Sequence, residues 1–187
     1  GSKTYLELDD ERTFEISDAQ DIKVSKDGSR VYFCKNTSSK TGTYDIKLVD
    51  TAKNTSLKRG GAVICVGIEE DWQGNENGTL LSYSKKDKGI LKHYLYSAEA
   101  GKTVEIATDV EQVFLPSKGD VVYYTRTVDK TSSLHRMKFE EAPEMVATNY
   151  KHVKFCDSGD GSEVLYTLAA DEDGLFDVYS VKELNAK

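Results

Sequence analysis

The chain has 187 residues with 32 Asp and Glu against 25 Lys and Arg, a formal charge of -7, and this acidic balance excludes polyanionic partners such as nucleic acid. At 38% hydrophobic it can build the core of one domain, since all-β domains often exceed the ~150-residue average. Its longest apolar runs are short, such as Ala62 to Val66, so membrane insertion, which needs ~18 apolar residues, is not expected.

The chain opens on Gly1-Ser2 in place of Met, the form of a cleavage scar from an expression tag. Residues 1–2 are therefore set apart, and 3–187 are read as a single domain. Short segments rich in Val, Ile, Tyr, Phe and Thr alternate with period 2, which predicts strands. The first two are Thr4 to Leu8 and Thr13 to Ile16. Clusters of Gly, Asp, Asn, Ser and Lys then divide the rest of the chain into a repeated four-strand unit.

Copy one (20–60) has strands at Ile22 to Val24 and Arg30 to Phe33, then Tyr44 to Val49 and a weaker one near Ser56 to Arg59. Copy two (62–108) runs Val63 to Ile68, Thr79 to Ser84, His93 to Ser97 and Thr103 to Ala107. Copy three (110–148) runs Gln112 to Leu115, Asp120 to Arg126, Leu134 to Phe139 and Glu144 to Ala147. Copy four (151–187) has only three: His152 to Cys156, Glu163 to Leu168 and Phe176 to Val181. Aligning Phe33, Tyr83, Tyr124 and Tyr166 gives intervals of 50, 41 and 42 residues, with the polar segment Glu69 to Gly78 read as an insert that lengthens the first. Propeller blades of four strands repeat at about 40 to 50 residues.

The expected fold is all-β and β-propeller-like, with about four blades of four antiparallel strands. The inner strands would be Ile22 to Val24, Val63 to Ile68, Gln112 to Leu115 and His152 to Cys156. The N-terminal strand within 3–17 either closes the last blade or precedes the ring. A four-bladed ring sits at the lower limit for propellers, which favours a fragment of a larger one. Open blade edges would then invite pairing with a second copy.

The stretch Ser25-Lys26-Asp27-Gly28-Ser29-Arg30-Val31-Tyr32-Phe33 resembles the S-x-D-G-x-x-[IV]-x-[FY] core of WD40-like, TolB-like propeller repeats. Ser158 to Tyr166 matches it less well, while Gly74 to Gly78 and Ser117 to Asp120 keep a turn without the Asp-Gly order. Similar repeats build the propellers of prolyl oligopeptidase-type peptidases and of uncharacterised bacterial surface proteins. The latter resemblance implies a binding or sensing module in an extracytoplasmic or cell-surface setting.

No catalytic residue, metal site or cofactor is expected. There is no G-x-S-x-G elbow, and His93, His135 and His152 fall on separate blades. Cys34, Cys65 and Cys156 form no C-x-x-C pair and read as free thiols, which weighs mildly against an oxidising compartment. The acidic loops Asp157 to Glu163 and Asp171 to Gly174 depart from the calcium-loop pattern and read as turns. The triplets at Asn36, Asn54 and Asn77 are glycosylation acceptors only in a eukaryotic secretory setting.

The segment chosen as a candidate partner site is the acidic, amide-rich stretch around Asp71, Trp72, Gln73 and Asn75, which holds the only Trp. An exposed aromatic beside acids and amides suits contact with protein, peptide or glycan. The opposing reading has Trp72 folded back over the blade edge. A hydrolase with carboxylates in the channel is the alternative function, and self-association through blade edges a third.

Overall fold

The computed structural model describes residues 3, 5–7, 11–16, 18–38, 43–52, 61–69, 71–148, 153–158, 163–167 and 178–182. The side chains of 36–38, 163, 167 and 182 are not described. These residues form antiparallel sheets and no helix, so none is long and apolar enough to cross a membrane.

A hairpin of β1 (Tyr5–Glu7) and β2 (Thr13–Glu15) comes first. Blade 1 follows as β3 (Ala19–Val24), β4 (Arg30–Ser38), β5 (Thr43–Asp50) and β6 (Ala62–Ile68). Blade 2 is β7 (Trp72–Gly74), β8 (Leu80–Asp87), β9 (Ile90–Ser97) and β10 (Lys102–Thr108). Blade 3 is β11 (Val110–Phe114), β12 (Val121–Val128), β13 (Thr131–Lys138) and β14 (Glu144–Thr148). Blade 4 shows β15 (Lys154–Asp157), β16 (Glu163–Thr167) and β17 (Val178–Lys182).

Within each blade consecutive strands pair, so the two faces of a strand turn to two different neighbours. On β4, Tyr32 and Cys34 join Ile46 and Leu48 against Trp72, Leu81, Tyr83 and Tyr96 of blade 2. Val31 and Phe33 point the other way, with Val49, onto Phe14 and Ile16 of the N-terminal segment. Blade 2 meets blade 3 through Leu80, Leu95 and Ile106 against Val122, Tyr124 and Met137. Blade 3 meets blade 4 through Tyr123 and Leu134 against Val164, Tyr166 and Val153. Because both faces are covered, the central strands read as near-continuous apolar runs rather than as clean alternation.

The expected inner strand of blade 2 is corrected. Val63 to Ile68 is a strand, but it pairs with β5 as the outer strand of blade 1, not as the inner strand of blade 2. Blade 1 therefore extends to 68, past the expected limit near 60, and the weak strand expected at Ser56 to Arg59 lies outside the described residues. The inner strand of blade 2 is Trp72–Gly74, inside the segment read as an insert. The β-branched run at 62–68 satisfies strand propensity equally well at an edge, so propensity alone could not rank the two. Thr13–Glu15 pairs with Tyr5–Glu7, and no pairing with β17 is found among the described residues. The hairpin covers the free face of blade 1 rather than supplying a fourth strand to blade 4.

The turn between the first two strands of a blade carries the repeat motif, and its chemistry explains the spelling. Ser25 Oγ and the amide and hydroxyl of Ser29 all donate to Asp27 Oδ1, at 2.7, 3.0 and 2.8 Å. Ser25 Oγ in turn accepts the Arg30 amide at 2.9 Å, and Gly28 supplies the left-handed residue at φ 70°. These bonds, the one from Ser25 first, hold the Asp27 carboxyl at about 2, below its ordinary 3.8. A lowered folded value means the carboxylate contributes stability above pH 3.8 that is lost as the pH falls through about 2. An NMR titration of Asp27 Cγ is expected to place the midpoint near 2, moving up in Ser25→Ala. A wild-type midpoint at the ordinary carboxylate value would remove this anchor from the account.

Blade 2 repeats the turn with different letters. Asn75 Oδ1 accepts the Leu80 amide at 2.9 Å as Ser25 accepts Arg30, and Asn77 Oδ1 accepts the Thr79 hydroxyl at 2.8 Å as Asp27 accepts Ser29. Gly78 takes the place of Gly28 at φ 67°. The turns also tie blade to blade. Lys26 N donates to Glu76 O at 2.8 Å, Asn77 N to Ser117 O at 3.3 Å, and Ser117 N to Asp157 Oδ2 at 2.7 Å. That end of the blades is laced by hydrogen bonds.

Candidate functional site

The inner strands begin at the opposite end. A cavity of about 500 Å³ lies there, walled by residues of β7, β11 and β15 and by the His93 region of blade 2. Three blades thus contribute their inner strands to one space, as a propeller channel requires.

Strand register decides which groups of blade 2 reach it. Ser84 pairs with His93 and its amide donates to Asp71 O at 3.1 Å, so Asp71, Ser84 and His93 form one row across the sheet. Gln73, Ser82 and Leu95 form the next row on the same face, two residues on. The face is apolar where Leu80 and Leu95 meet blade 3 and polar toward the cavity. Gln73 Nε2 donates to Val113 O at 2.8 Å, bridging the inner strands of blades 2 and 3. With its NH₂ so used, the amide oxygen is assigned as the acceptor.

His93 is 6% exposed, and its Nε2 has no hydrogen-bond partner. Burial pushes its imidazole below the ordinary value, and the Asp71 charge opposes that shift. Asp71 and Glu111 are exposed carboxylates on the wall, and Lys154 is the cation among the lining residues. Phe114 and Phe155 stack beside them with ring centroids 5.0 Å apart and planes 2° from parallel. Ser82 and Ser84 share the His93 face, and neither hydroxyl is bonded to Nε2. Among the described residues no group of three His, Cys, Asp or Glu converges as metal ligands.

The four residues singled out from the sequence divide. Asp71 and Gln73 line the cavity. Trp72 does not belong to an exposed loop: it is a strand residue, 6% exposed, packed between blades 1 and 2. Alternation explains this, since neighbours on a strand point to opposite faces. Lys23 caps it, with Nζ 4.0 Å from the ring centroid and 2.8 Å from Trp72 O. Asn75 is buried, and its side chain is consumed by the turn it shares in form with Ser25.

His93 was not singled out from the sequence. The available signal was Ser82 and Ser84, two hydroxyls alternating on a strand whose other face is apolar, which marks a polar space on that side. His135 is structural, stacked on Tyr124 at 5.0 Å and bonded to Ser133 Oγ at 2.8 Å. His152, Asn54, residues 159–162 and the loop Asp171 to Gly174 lie outside the described residues. Cys34 and Cys65 are buried free thiols and Cys156 an exposed one.

No protein-family model matches the sequence, and no curated protein matches it by sequence. Solved structures do match in shape. The β-propeller domain of the Trilobed protease from Pyrococcus furiosus, described as having an open velcro topology, superposes with a TM-score of 0.62 at 13% identity, over 97% of this chain and 59% of that one. A prolyl endopeptidase gives a TM-score of 0.59 at 16% identity, over 91% of this chain and 28% of that one. A putative TolB from Agrobacterium tumefaciens gives 0.54 at 12% identity, over 88% of this chain and 66% of that one. The chain spans less than two thirds of each of these. Antiparallel sheets of four strands, with three described in blade 4, packed face to face, and the likeness to these structures, make the fold that of a β-propeller, in part or whole.

Proposed function

We propose that this domain is a non-catalytic recognition module that takes a segment of protein, peptide or glycan into the cavity where its inner strands begin. The observation that carries this reading is a cavity wall bearing two exposed carboxylates that the fold does not use, those of Asp71 and Glu111, with the unpartnered Nε2 of His93 buried behind it. A volume of about 500 Å³ lies in the range of ligand sites, ~300–1,000 Å³. The resemblance of the Ser25 to Phe33 repeat to TolB-like modules supports an extracytoplasmic, cell-surface setting. The matched structures include both peptidases and TolB proteins, so function has to be argued from the site.

The alternative is a glycan or peptide hydrolase, favoured by two carboxylates on one cavity wall. A carboxylate pair does glycoside chemistry only at ~5–9.5 Å separation with one acid protonated. One experiment addresses both readings. Peptide and oligosaccharide panels are added to ¹⁵N-labelled protein, and bound members are then incubated and checked for cleavage. Saturable shifts at Asp71 to Gly74 and Val110 to Phe114 without cleavage are expected. Cleavage lost in Glu111→Gln would establish the hydrolase, and shifts confined to β17 growing with protein concentration would indicate self-association.

A further inference from the structure

The wall chemistry narrows the ligand beyond the recognition reading on which this inference rests. Three acceptor side chains line the cavity, the carboxylates of Asp71 and Glu111 and the amide of Gln73, and His93 lines it too, with its unpartnered Nε2 buried behind the wall. They come from two blades and do not converge as metal ligands do. A spread of acceptors suits a group with several divergent donors better than a point charge. Phe114 and Phe155, stacked on each other in the seam of blades 3 and 4, add apolar lining on that side.

A guanidinium fits this description: it is planar, always charged, carries five N–H donors in a fixed fork, and stacks on aromatic faces. An ammonium offers three donors from one point and stacks poorly. We propose that the cavity binds the arginine side chain of a partner peptide, with Asp71 and Glu111 as counter-charges, Gln73 as a further acceptor and the His93 ring as a neighbour that senses the bound charge. Lys154 is the opposing charge on the wall, so it weakens the site and limits it to ligands that can displace its ammonium toward solvent.

The test uses the whole chain and the probe acetyl-Gly-Arg-Gly-amide, with citrulline in place of arginine as the uncharged near-isostere. Binding is followed by NMR through backbone amides and the His93 ring nitrogens. The arginine peptide is expected to shift Asp71, Gln73, Glu111 and the His93 imidazole saturably, and the citrulline peptide to bind at least about tenfold more weakly. Asp71→Asn and Glu111→Gln, both at exposed positions, are each expected to weaken the arginine peptide about tenfold, and Lys154→Met to tighten it. Equal binding of the two peptides, or no change in the two carboxylate variants, would overturn the proposal. If another member of the peptide and glycan panels shifts these residues instead, the guanidinium assignment fails and the recognition reading stands. If no member does, both fail.

Discussion

Trp72→Ala is expected to destabilise the domain by about 3–5 kcal/mol, the usual cost of truncating a buried aromatic. The side chain is 6% exposed and sits in the cluster that joins blades 1 and 2, between Tyr32, Cys34 and Ile46 on one side and Leu81 and Tyr83 on its own blade. Removing it leaves a cavity at the seam and strands the Lys23 ammonium that now lies over the ring. Urea denaturation measures the loss, and the emission of this single Trp reports its surroundings in the wild type. The outcome separates two pictures of the residue. An exposed ligand contact would change stability by no more than about 0.5 kcal/mol and would lower affinity instead. A large loss of stability places Trp72 in the core and leaves its neighbours Asp71 and Gln73 as the residues of that segment that face the cavity.

Gly78→Ala is expected to cost roughly 2–5 kcal/mol, combining a left-handed L-residue with overpacking. Gly78 has φ 67°, and a Cβ there would stand 2.8 Å from Ser25 Cβ and 3.3 Å from Arg30 Cβ. Neither neighbour is the free end of a side chain, so backbone must move. The movement would also disturb the bond from the Tyr32 hydroxyl to Gly78 O, 2.8 Å long and buried between the blades. Gly89→Ala provides the control. Gly89 has φ 86° with nothing within 4 Å of the added carbon, so only the backbone term, about 1–2 kcal/mol, is expected. Equal losses in the two variants would show that the blade 1–blade 2 seam is looser than the distances imply.

The two predictions concern the same seam, and its two turns explain what the motif encodes. Ser25-x-Asp27-Gly28-Ser29 and Asn75-x-Asn77-Gly78-Thr79 share two bonds made with different side chains, one to the hydroxyl two residues past Asp27 or Asn77 and one from the amide five residues past Ser25 or Asn75. What recurs is an acceptor two residues before a hydroxyl and a left-handed residue between them. A search for Asp-Gly finds one turn and misses the other, although Asn can serve as the same acceptor. The 50-residue interval from Phe33 to Tyr83 also carries Ile22–Val24 onto Trp72–Gly74, the inner strand of blade 2. No insert is needed to explain that interval.

The amino-acid sequence by itself determined the fold class, the run of short strands and the blade-like repeat. Those depend on local features: apolar alternation, β-branched content and turn residues, each legible within a few positions. The strands expected at Tyr44 to Val49, His93 to Ser97 and Thr103 to Ala107 all lie within observed ones. It also named Asp71 and Gln73 as candidates because they flank the one Trp of an acidic, amide-rich segment; the structure sets these two on the cavity wall and Trp72 in the core. Only the tertiary structure decided to which sheet Val63 to Ile68 belongs, because inner and outer strands share one propensity and differ only in their neighbours. It alone turned Trp72 inward and spent Asn75 on a turn, since the facing of a strand residue depends on what the next blade presents. And it alone brought His93 to Asp71 and Glu111, residues 22 and 18 positions away along the chain, because register across β8 and packing of blade 2 on blade 3 are properties of the assembled sheets.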